Sequence, residues 1–273
     1  MNDRFGLLYD DSFNDDLVAG HDELDFLEII PDRFSAVDDL SHIPDFLRAI
    51  PPVFHTLNLS LGSDETLDES YLKGISNLVK HFRPMWISDH LAVTRIDGMH
   101  LGHLSPVRWN TAAIARIAGK IARVQDELGM PFLVENIAYY FTIPGADIGE
   151  GELLQHLVEK TGCGLLLDVN NVAVNAANHG FDPYAYLREF PLHAVREIHI
   201  AGHRKRGNMY IDSHGDPVSE LVWNLLRFVS AKLESVNVIL ERDQDIPPLG
   251  ELMRELAIAR KCVTEGKGSR GAA

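Results

Sequence analysis

The chain has 273 residues, 45% of them hydrophobic, which is the typical length of one (β/α)₈ barrel and enough for a large core without a second domain. Its formal net charge of −15 argues against a general nucleic-acid binder, because contacts with phosphates need a basic surface. Two cysteines, no signal-peptide pattern and no apolar run of the roughly 18 residues that span a membrane predict a cytoplasmic protein without a disulfide framework.

Short apolar runs alternate with longer segments of helical period, which is typical of βα units in a parallel sheet. Eight such runs are predicted as strands: Phe5–Tyr9, Phe26–Ile30, Val53–Leu57, Trp86–His90, Phe132–Asn136, Gly164–Asn170, Glu197–Ala201 and Val236–Glu241. Helices are predicted near Ala36–Ala49, Asp68–His81, Asn110–Leu128, Glu152–Lys160, Pro217–Leu233 and Leu249–Arg260. The pattern predicts an α/β fold, a single (β/α)₈ TIM barrel over residues 1–264, with a polar, Gly-rich, disordered tail over 265–273.

Two connections are longer than the others. Leu91–Arg108 contains Asp97-Gly98 between apolar segments, which predicts a β-hairpin. Ile137–Gly149 carries Tyr139, Tyr140 and Phe141 into a loop with Gly and Pro. Long loops in compact domains are often lids or binding loops.

Metal-competent side chains lie at the C-terminal ends of seven of the eight predicted strands, where TIM barrels build their sites. They are Glu28, His55, His90, Glu135, Asp168, His199 and Glu241. Buried polar groups are costly unless they are paired or bound to metal. Imidazoles mixed with carboxylates favour Fe, Mn or Zn over Ca or Mg. The pattern therefore predicts a metal site, with Glu28 open between a ligand, a salt-bridge partner and a carboxylate that orients a histidine.

More candidate ligands follow the seventh predicted strand. His203 would lie on the same side of that strand as His199 if the strand continued, and Asp212 and His214 are two residues apart. About nine candidates exceed the three or four protein ligands of one catalytic ion, so two or three ions are predicted. The roles of three other histidines stay open: His100, His103 and His179.

Several motifs together resemble the multinuclear non-haem iron-dependent oxidative enzymes. The matching stretches are Phe54-His-Thr-Leu-Asn-Leu-Ser-Leu-Gly-Ser63, Ser88-Asp-His-Leu91, Val134-Glu-Asn136, Gly162-Cys-Gly-Leu-Leu-Leu-Asp-Val-Asn-Asn171, Asn178-His-Gly-Phe-Asp-Pro183, Ile198-His-Ile-Ala-Gly-His203, Ile211-Asp-Ser-His-Gly215 and Asp245-Ile-Pro-Pro248. Their order and spacing cover about Leu27 to Arg260.

The resemblance implies a TIM barrel that holds two or three iron ions in mixed Fe(II)/Fe(III) states and uses O₂ as co-substrate. Such enzymes oxidise residues, often cysteine, in ribosomally made precursor peptides, and many act with a separate partner protein that binds the leader of the peptide. Carried over by motif, the paired-iron ligands are His55, His90, Glu135, Asp168, His199 and Glu241. His203, Asp212 and His214 resemble the set for a further iron, and Asp243 is a weaker candidate for a proton-handling carboxylate.

The sequence departs from the common pattern of this family in three places that avoid the ligands. Glu135-Asn-Ile-Ala-Tyr-Tyr140 stands where the family resembles Glu-Asn-Pro-Ser-Ser-Tyr, and Leu240-Glu-Arg-Asp243 where it resembles Ile-Glu-Trp-Asp. The opening Phe5-Gly-Leu-Leu-Tyr-Asp-Asp also differs from the usual Gly-Leu-Arg. These changes fall where substrate would lie, so the metal assignment carries over and a particular substrate does not.

Three alternatives use the same kind of site. A divalent-metal sugar isomerase or epimerase has this barrel with two His and two carboxylates, but the extra ligands at 203, 212 and 214 argue against it. A trinuclear-zinc endonuclease-like hydrolase fits the metal count but not the negative charge. A catalytically silent scaffold that retains a structural metal would have closed coordination and would consume no oxygen.

Overall fold

The computed structural model describes residues 2–20, 23–34 and 46–269. Its barrel strands are β1 Arg4–Leu8, β2 Phe26–Ile29, β3 Pro52–Thr56, β4 Ile87–His90, β7 Phe132–Glu135, β8 Gly164–Asp168, β9 Val195–Ile200 and β12 Asn237–Leu240. Two hairpins add β5 Val93–Ile96 with β6 Met99–Ser105, and β10 His203–Arg206 with β11 Met209–Asp212. The helices are α1 Asn14–Ala19, α2 Phe46–Ala49, α3 Glu69–Phe82, α4 Thr111–Leu128, α5 Glu150–Thr161, α6 Val169–His179, α7 Pro183–Glu189, α8 Glu220–Ser230 and α9 Leu249–Gly268.

Within the described residues, eight strands form a closed barrel in the order β1-β12-β9-β8-β7-β4-β3-β2. The pairings between neighbouring strands are parallel, as βα units require. The predicted (β/α)₈ barrel is confirmed, and each predicted strand overlaps an observed one. No helix in the described part of the chain combines the length and apolarity that a membrane crossing demands.

The chain divides into two compact units, one within residues 29–166 and the other within residues 1–28 and 167–273. In the unit 29–166, β3, β4 and β7 lie side by side, and the fully buried rings of Phe54 and Phe132 fill its core. The register pairs His55 with Ser88 and His90 with Glu135. Because parallel neighbours hold fixed register, these side chains are brought to the same level of the sheet.

Helices of the same unit begin and end at residues that the sequence marks. The side chain of Asp68 caps α3, and Asn110 caps α4, which ends at Gly129 in the left-handed conformation. Lys120 of α4 donates three hydrogen bonds of 2.8–2.9 Å to backbone and side-chain oxygens of Ser60 and Ser63. This buried ammonium fixes the loop that follows β3.

In the other unit, β1 pairs with both β2 and β12, and β12 pairs with β9. Ile239 is the register partner of His199, and Glu241 N donates to Ile200 O at 2.9 Å just beyond β12. Helices α8 and α9 pack against each other in this unit. His199 therefore lies on β9, and Glu241 directly follows the neighbouring strand β12.

The sixth strand, predicted over Gly164–Asn170, is shorter than predicted. The strand ends at Asp168, and α6 begins at the next residue, Val169. Asp168 caps this helix, since its Oδ1 accepts from Asn171 N at 2.8 Å. The sequence concealed the boundary because apolar residues stand on both sides of Asp168, leucines before it and Val169 after it, and no glycine or proline intervenes.

The C-terminal helix corrects the predicted tail. Helix α9 continues to Gly268, so residues 265–268 are helical rather than disordered. Arg227 Nε donates to Glu265 Oε2 at 2.8 Å, and Lys267 pairs with Asp3. These ion pairs attach the last turns to the same unit. Residues 270–273 of the predicted tail, and 36–45 of the predicted helix 36–49, lie outside the described residues.

The hairpin predicted around Asp97-Gly98 is confirmed by β5 and β6. Both turn residues have positive φ, 51° and 75°, as a two-residue hairpin turn with right-handed twist requires. A second hairpin, β10–β11, was not predicted.

Candidate metal centre

A first cluster lies within residues 29–166 and consists of His55, His90 and Glu135. His55 Nε2 lies 3.1 Å from His90 Nε2, and Glu135 Oε2 lies 3.3 Å from the first nitrogen and 3.2 Å from the second. All three side chains are buried. Three potential ligand atoms from three neighbouring strands thus form a nearly equilateral triangle.

Ser88 determines which nitrogen of His55 carries the proton. Ser88 Oγ donates to Phe54 O at 3.2 Å and lies 2.8 Å from His55 Nδ1. Because the hydroxyl has one proton and gives it to Phe54 O, it accepts from the Nδ1–H of His55. The lone pair of the neutral ring is then on Nε2, the atom that faces His90 and Glu135.

The first cluster fits a transition-metal ion. Ligand bonds of about 2.1 Å separate neighbouring donor atoms by about 3.0 Å at right angles and about 3.4 Å at tetrahedral angles. The three edges of the triangle, 3.1, 3.2 and 3.3 Å, fall in this interval. Two imidazoles with one carboxylate suit iron, manganese or zinc. A cation would also compensate the buried negative charge of Glu135.

A second cluster lies in the unit of residues 1–28 and 167–273. Its members are Glu28, Asp168, Glu197, His199, His203, Asp212, His214 and Glu241. His199 is its centre: its Nε2 lies 3.0 Å from Glu28 Oε2 and its Nδ1 lies 3.1 Å from Glu241 Oε2. Burial lowers the pKa of His199, but the two carboxylates outweigh it and hold that pKa well above its usual value. To bind a metal, His199 would exchange one of these contacts for the ion.

His214 joins the far side of Glu241. Its Nδ1 lies 3.3 Å from Glu241 Oε1, and its Nε2 lies 2.7 Å from Asp212 Oδ1. Its backbone has φ of 45°, in the left-handed region that side chains other than glycine rarely adopt. One ligand atom each from Asp168, His214 and Glu241 lies within 4.8 Å of the others. The structure therefore groups His214 with Asp168 and Glu241 as one possible ion site.

His203 reaches this cluster by a different route from the one predicted. Strand β9 ends at Ile200, and His203 instead opens β10, where it is the register partner of Asp212. Asn170 links the two residues: its Nδ2 donates to Asp212 Oδ1 at 2.8 Å, and its Oδ1 accepts from His203 Nδ1 at 2.7 Å. The lone pair of His203 is then on Nε2.

Gly202 makes the bend before β10 possible. A Cβ on this residue would lie 1.8 Å from Asp216 O, so no side chain fits.

Carboxylates outnumber imidazoles in the second cluster. Burial raises the pKa of Asp168 to about 7, and the charges of Asp212 and Glu241 act in the same direction. Burial likewise raises the pKa of Glu28, whose Oε1 accepts no hydrogen bond from any group in the described part of the chain. Burial also raises the pKa of Glu241, but His214 and His199 overcome this and hold it well below its usual value. A cation would compensate this excess of buried negative charge.

The remaining predicted residues lie outside both clusters. Asp243 lies two residues after Glu241 and is exposed as a residue. Partial desolvation of its carboxyl group raises its pKa, and the charge of Glu241 acts in the same direction. His100 and His103 are exposed residues of β6. His179 is exposed at the last turn of α6.

Sequence reasoning missed two side chains of the centre. Glu197 lies two residues before His199 in β9 and is fully buried with it. Ser88 stands in the same relation to His90 in β4. The period of two along a strand was the available signal for both. The contacts of Asn170 with His203 and Asp212 depend on the β10–β11 hairpin, which was not predicted.

The chain matches the family described as RiPP precursor modification enzyme MbnB/TglH/ChrH over residues 4–264. A UPF0276 protein of Bordetella parapertussis is 40% identical over 270 residues, covering 96% of this chain and 93% of its relative. A UPF0276 protein of Caulobacter vibrioides is 39% identical over 239 residues, covering 87% and 85%.

Solved structures share the fold at low sequence identity. A 3-keto-D-glucoside 4-epimerase from E. coli has a TM-score of 0.57 at 14% identity, covering 96% of this chain and 100% of its own. A D-psicose 3-epimerase, solved in the presence of D-fructose, has a TM-score of 0.56 at 13% identity, covering 98% and 99%. At such identities the likeness concerns the barrel alone.

Proposed function

The chain belongs to the MbnB/TglH/ChrH family of RiPP precursor modification enzymes, and from this membership we propose that it is a multinuclear non-haem iron oxidase. In this proposal it uses O₂ to modify a residue, cysteine by preference, of a ribosomally made precursor peptide. The observation that carries the proposal is the donor triangle of His55, His90 and Glu135. The second cluster supports the presence of at least one more ion.

Each cluster would hold iron through its own ligands. In the first, His55 Nε2, His90 Nε2 and Glu135 would bind an ion, with Ser88 keeping the His55 proton away from it. In the second, the proposed ligands are Asp168, His199, His214 and Glu241, and a third ion would take His203 and Asp212. When bound, iron supplies a Lewis acid that lowers the pKa of a substrate thiol, and it supplies the redox chemistry with O₂.

The protein's own residues would position the substrate and handle its proton. Asp243 is exposed, and its raised pKa makes its carboxylate a better proton acceptor than an ordinary aspartate. We assign to its carboxylate the proton that a cysteine thiol releases on ionisation. The buried carboxylates would stay anionic, because bound cations oppose their protonation.

A precursor peptide is the substrate class that the family description names. We further propose a separate partner protein that binds the leader of that peptide. A short gene encoding a Cys-containing peptide, next to this gene and to a gene for such a partner, would support both proposals. Isolation of the chain with full activity on a leaderless peptide would contradict the need for a partner.

Metal content of anaerobically purified protein is the direct test. We expect two or more irons per chain with an Fe(II)/Fe(III) signal by electron paramagnetic resonance, and O₂ consumption when a Cys-containing precursor peptide is added. Glu135→Ala should lose iron and O₂ consumption together, whereas the exposed control Glu251→Ala on α9 should keep both. Asp243→Asn should keep iron and lose turnover.

One rival function is a sugar isomerase or epimerase that uses a divalent ion and no O₂, and two proteins that share the barrel are named as sugar epimerases. Stoichiometric manganese or zinc without iron, with isomerisation of a ketose, would establish the rival. Iron retained in full by Glu135→Ala would show that the proposed ligand set is wrong.

A further inference from the structure

A preformed apolar pocket lies in the unit of residues 29–166. Its cavity of about 360 Å³ is lined by ten residues: Pro106, Val107, Trp109, Tyr139, Phe141, Thr142, Ile143, Pro144, Gly145 and Ala146. None of the ten carries a formal charge, although the chain as a whole has a net charge of −15. The composition selects an uncharged, apolar group.

Both walls of the pocket come from loops that leave the strands of the first metal cluster. One wall, residues 106–109, ends the connection that follows β4 and its His90. The other, residues 139–146, begins four residues after Glu135 at the end of β7. His90 and Glu135 are register partners on adjacent parallel strands. The pocket is therefore built by two βα loops at the end of the sheet that carries the ligands, where TIM-barrel enzymes hold substrate.

The pocket walls are held in place without a ligand. The rings of Trp109 and Tyr139 meet edge to face with centroids 5.3 Å apart. Asp147 anchors the end of the longer loop, since its N donates to Trp109 O at 3.0 Å and its Oδ1 accepts from Thr111 N at 2.9 Å. Because the walls are fixed beforehand, a bound group costs little ordering of the protein.

The size of the pocket argues against a second copy of the chain as its occupant. A stable interface takes about 20–30 residues from each side. The pocket offers ten, and they surround a cavity rather than a flat face. Phe141, one of the ten, is 52% exposed, so its ring is accessible to a bound side chain.

We propose that this pocket binds an apolar side chain, aromatic by preference, of the substrate peptide close to the residue that is modified. The inference rests on the proposed function for the identity of its occupant. The apolar contact would fix the register of the peptide relative to the first cluster, so that one residue is presented and its neighbours are not.

The test measures peptide binding to metal-free protein, so it is independent of oxidase activity. The probes are acetyl-Gly-Trp-Gly-Cys-Gly-amide and the same peptide with Trp replaced by Gly or Asp, titrated into protein with ¹³C-labelled isoleucine methyl groups. We expect the Trp peptide to shift the Ile143 methyl signal saturably and the Gly and Asp peptides to bind about tenfold more weakly or worse.

Two variants of the pocket and one control variant locate the effect. Ile143→Asp should weaken binding of the Trp peptide about tenfold, whereas Ile258→Asp, at an exposed isoleucine of α9, should leave it unchanged. Phe141→Ser at the rim should weaken binding of the Trp peptide less than Ile143→Asp does. Unaltered thermal unfolding of each variant shows that the fold is intact.

Absence of a saturable shift, or equal affinity for the Trp and Asp peptides, would overturn the pocket assignment. So would a dimer in sedimentation that Ile143→Asp converts to monomer, because a second copy would then fill the pocket. Binding as expected in a protein that never takes up iron would leave the pocket standing and overturn the proposed oxidase instead.

Discussion

The carboxyl group of Asp89 contacts the backbone N of His90, a member of the first cluster. We expect this carboxyl group to be protonated in the folded protein. Its Oδ1 accepts from His90 N at 2.7 Å, and its Oδ2 accepts from Leu59 N at 3.1 Å and lies 2.7 Å from Thr56 Oγ1. Thr56 has one hydroxyl proton and also donates to Ser88 O at 2.9 Å. A proton on Asp89 Oδ2 satisfies both contacts of the hydroxyl. Burial raises the pKa of Asp89 to about 8, in agreement with this arrangement.

We expect Asp89→Asn to alter the pH dependence of stability more than stability itself. An unfolded chain releases the Asp89 proton near pH 3.9, whereas the folded protein holds it up to about pH 8. Between these values the folded state binds one proton more, so the free energy of unfolding falls as pH rises, by about 1.4 kcal/mol per pH unit. From about pH 5 to about pH 7, the wild type should lose roughly 2–3 kcal/mol that the variant keeps.

The variant has one cost that does not depend on pH. Its amide nitrogen can donate to Thr56 Oγ1 but cannot accept from Leu59 N, and an unsatisfied buried N–H costs about 1–3 kcal/mol. The variant is therefore expected to be less stable in acid and to approach or exceed the wild type toward neutral pH.

Urea unfolding of metal-free protein, followed by circular dichroism at several pH values, measures this difference. Asp126→Asn, at an exposed aspartate of α4, is the matched control and should follow the wild type at every pH. Parallel curves for wild type and Asp89→Asn between about pH 5 and about pH 7 would mean that Asp89 is ionised in the folded protein. The proton assignment would then be refuted.

Three further substitutions test other contacts. Ser88→Ala removes the oxygen that accepts from His55 Nδ1, so the proton of His55 is no longer fixed on that nitrogen. Metal affinity should fall about 10- to 100-fold in chelator competition, with the fold retained, and unchanged affinity would mean that Ser88 does not orient His55. Lys120→Met takes one donor from each of three oxygens of the loop after β3, and urea unfolding should show a loss of about 1–3 kcal/mol; equal stability would mean that water replaces the ammonium. Gly202→Ala places a methyl group 1.8 Å from Asp216 O, so the melting temperature should fall markedly, and a wild-type value would show that the bend relaxes freely.

Strand positions and the first cluster could be predicted from sequence because both depend on short-range pattern and parallel register. His90 and Glu135 each lie at the end of a predicted strand, and adjacent parallel strands ending at one level bring them together. Glu197 also lies in a strand, yet it precedes the end of the run and resembles the polar start of a strand. The period of two along β9 places it on the same side as the buried His199, and this was the signal that could have identified it.

The β10–β11 hairpin was missed although a signal was present. Arg204-Lys-Arg206 resembles a solvated loop, but Gly207-Asn208 between Arg206 and Met209 is a hairpin turn sequence, and Gly207 has φ of 59°. The spacing alone suggested that His203 extended β9. The hairpin pairs it with Asp212 instead, and this pairing depends on residues nine apart meeting across a turn.

Asp168 ends β8, caps α6 and belongs to the second cluster, and this overlap has an evolutionary consequence. Asparagine caps a helix as well as aspartate does, but it is neutral and a poorer ligand for iron. One nucleotide change converts an aspartate codon into an asparagine codon. In the proposed metal centre, a lineage could thus lose this ligand in a single step while keeping its barrel, and the residue at this position would distinguish descendants with the proposed chemistry from those without it.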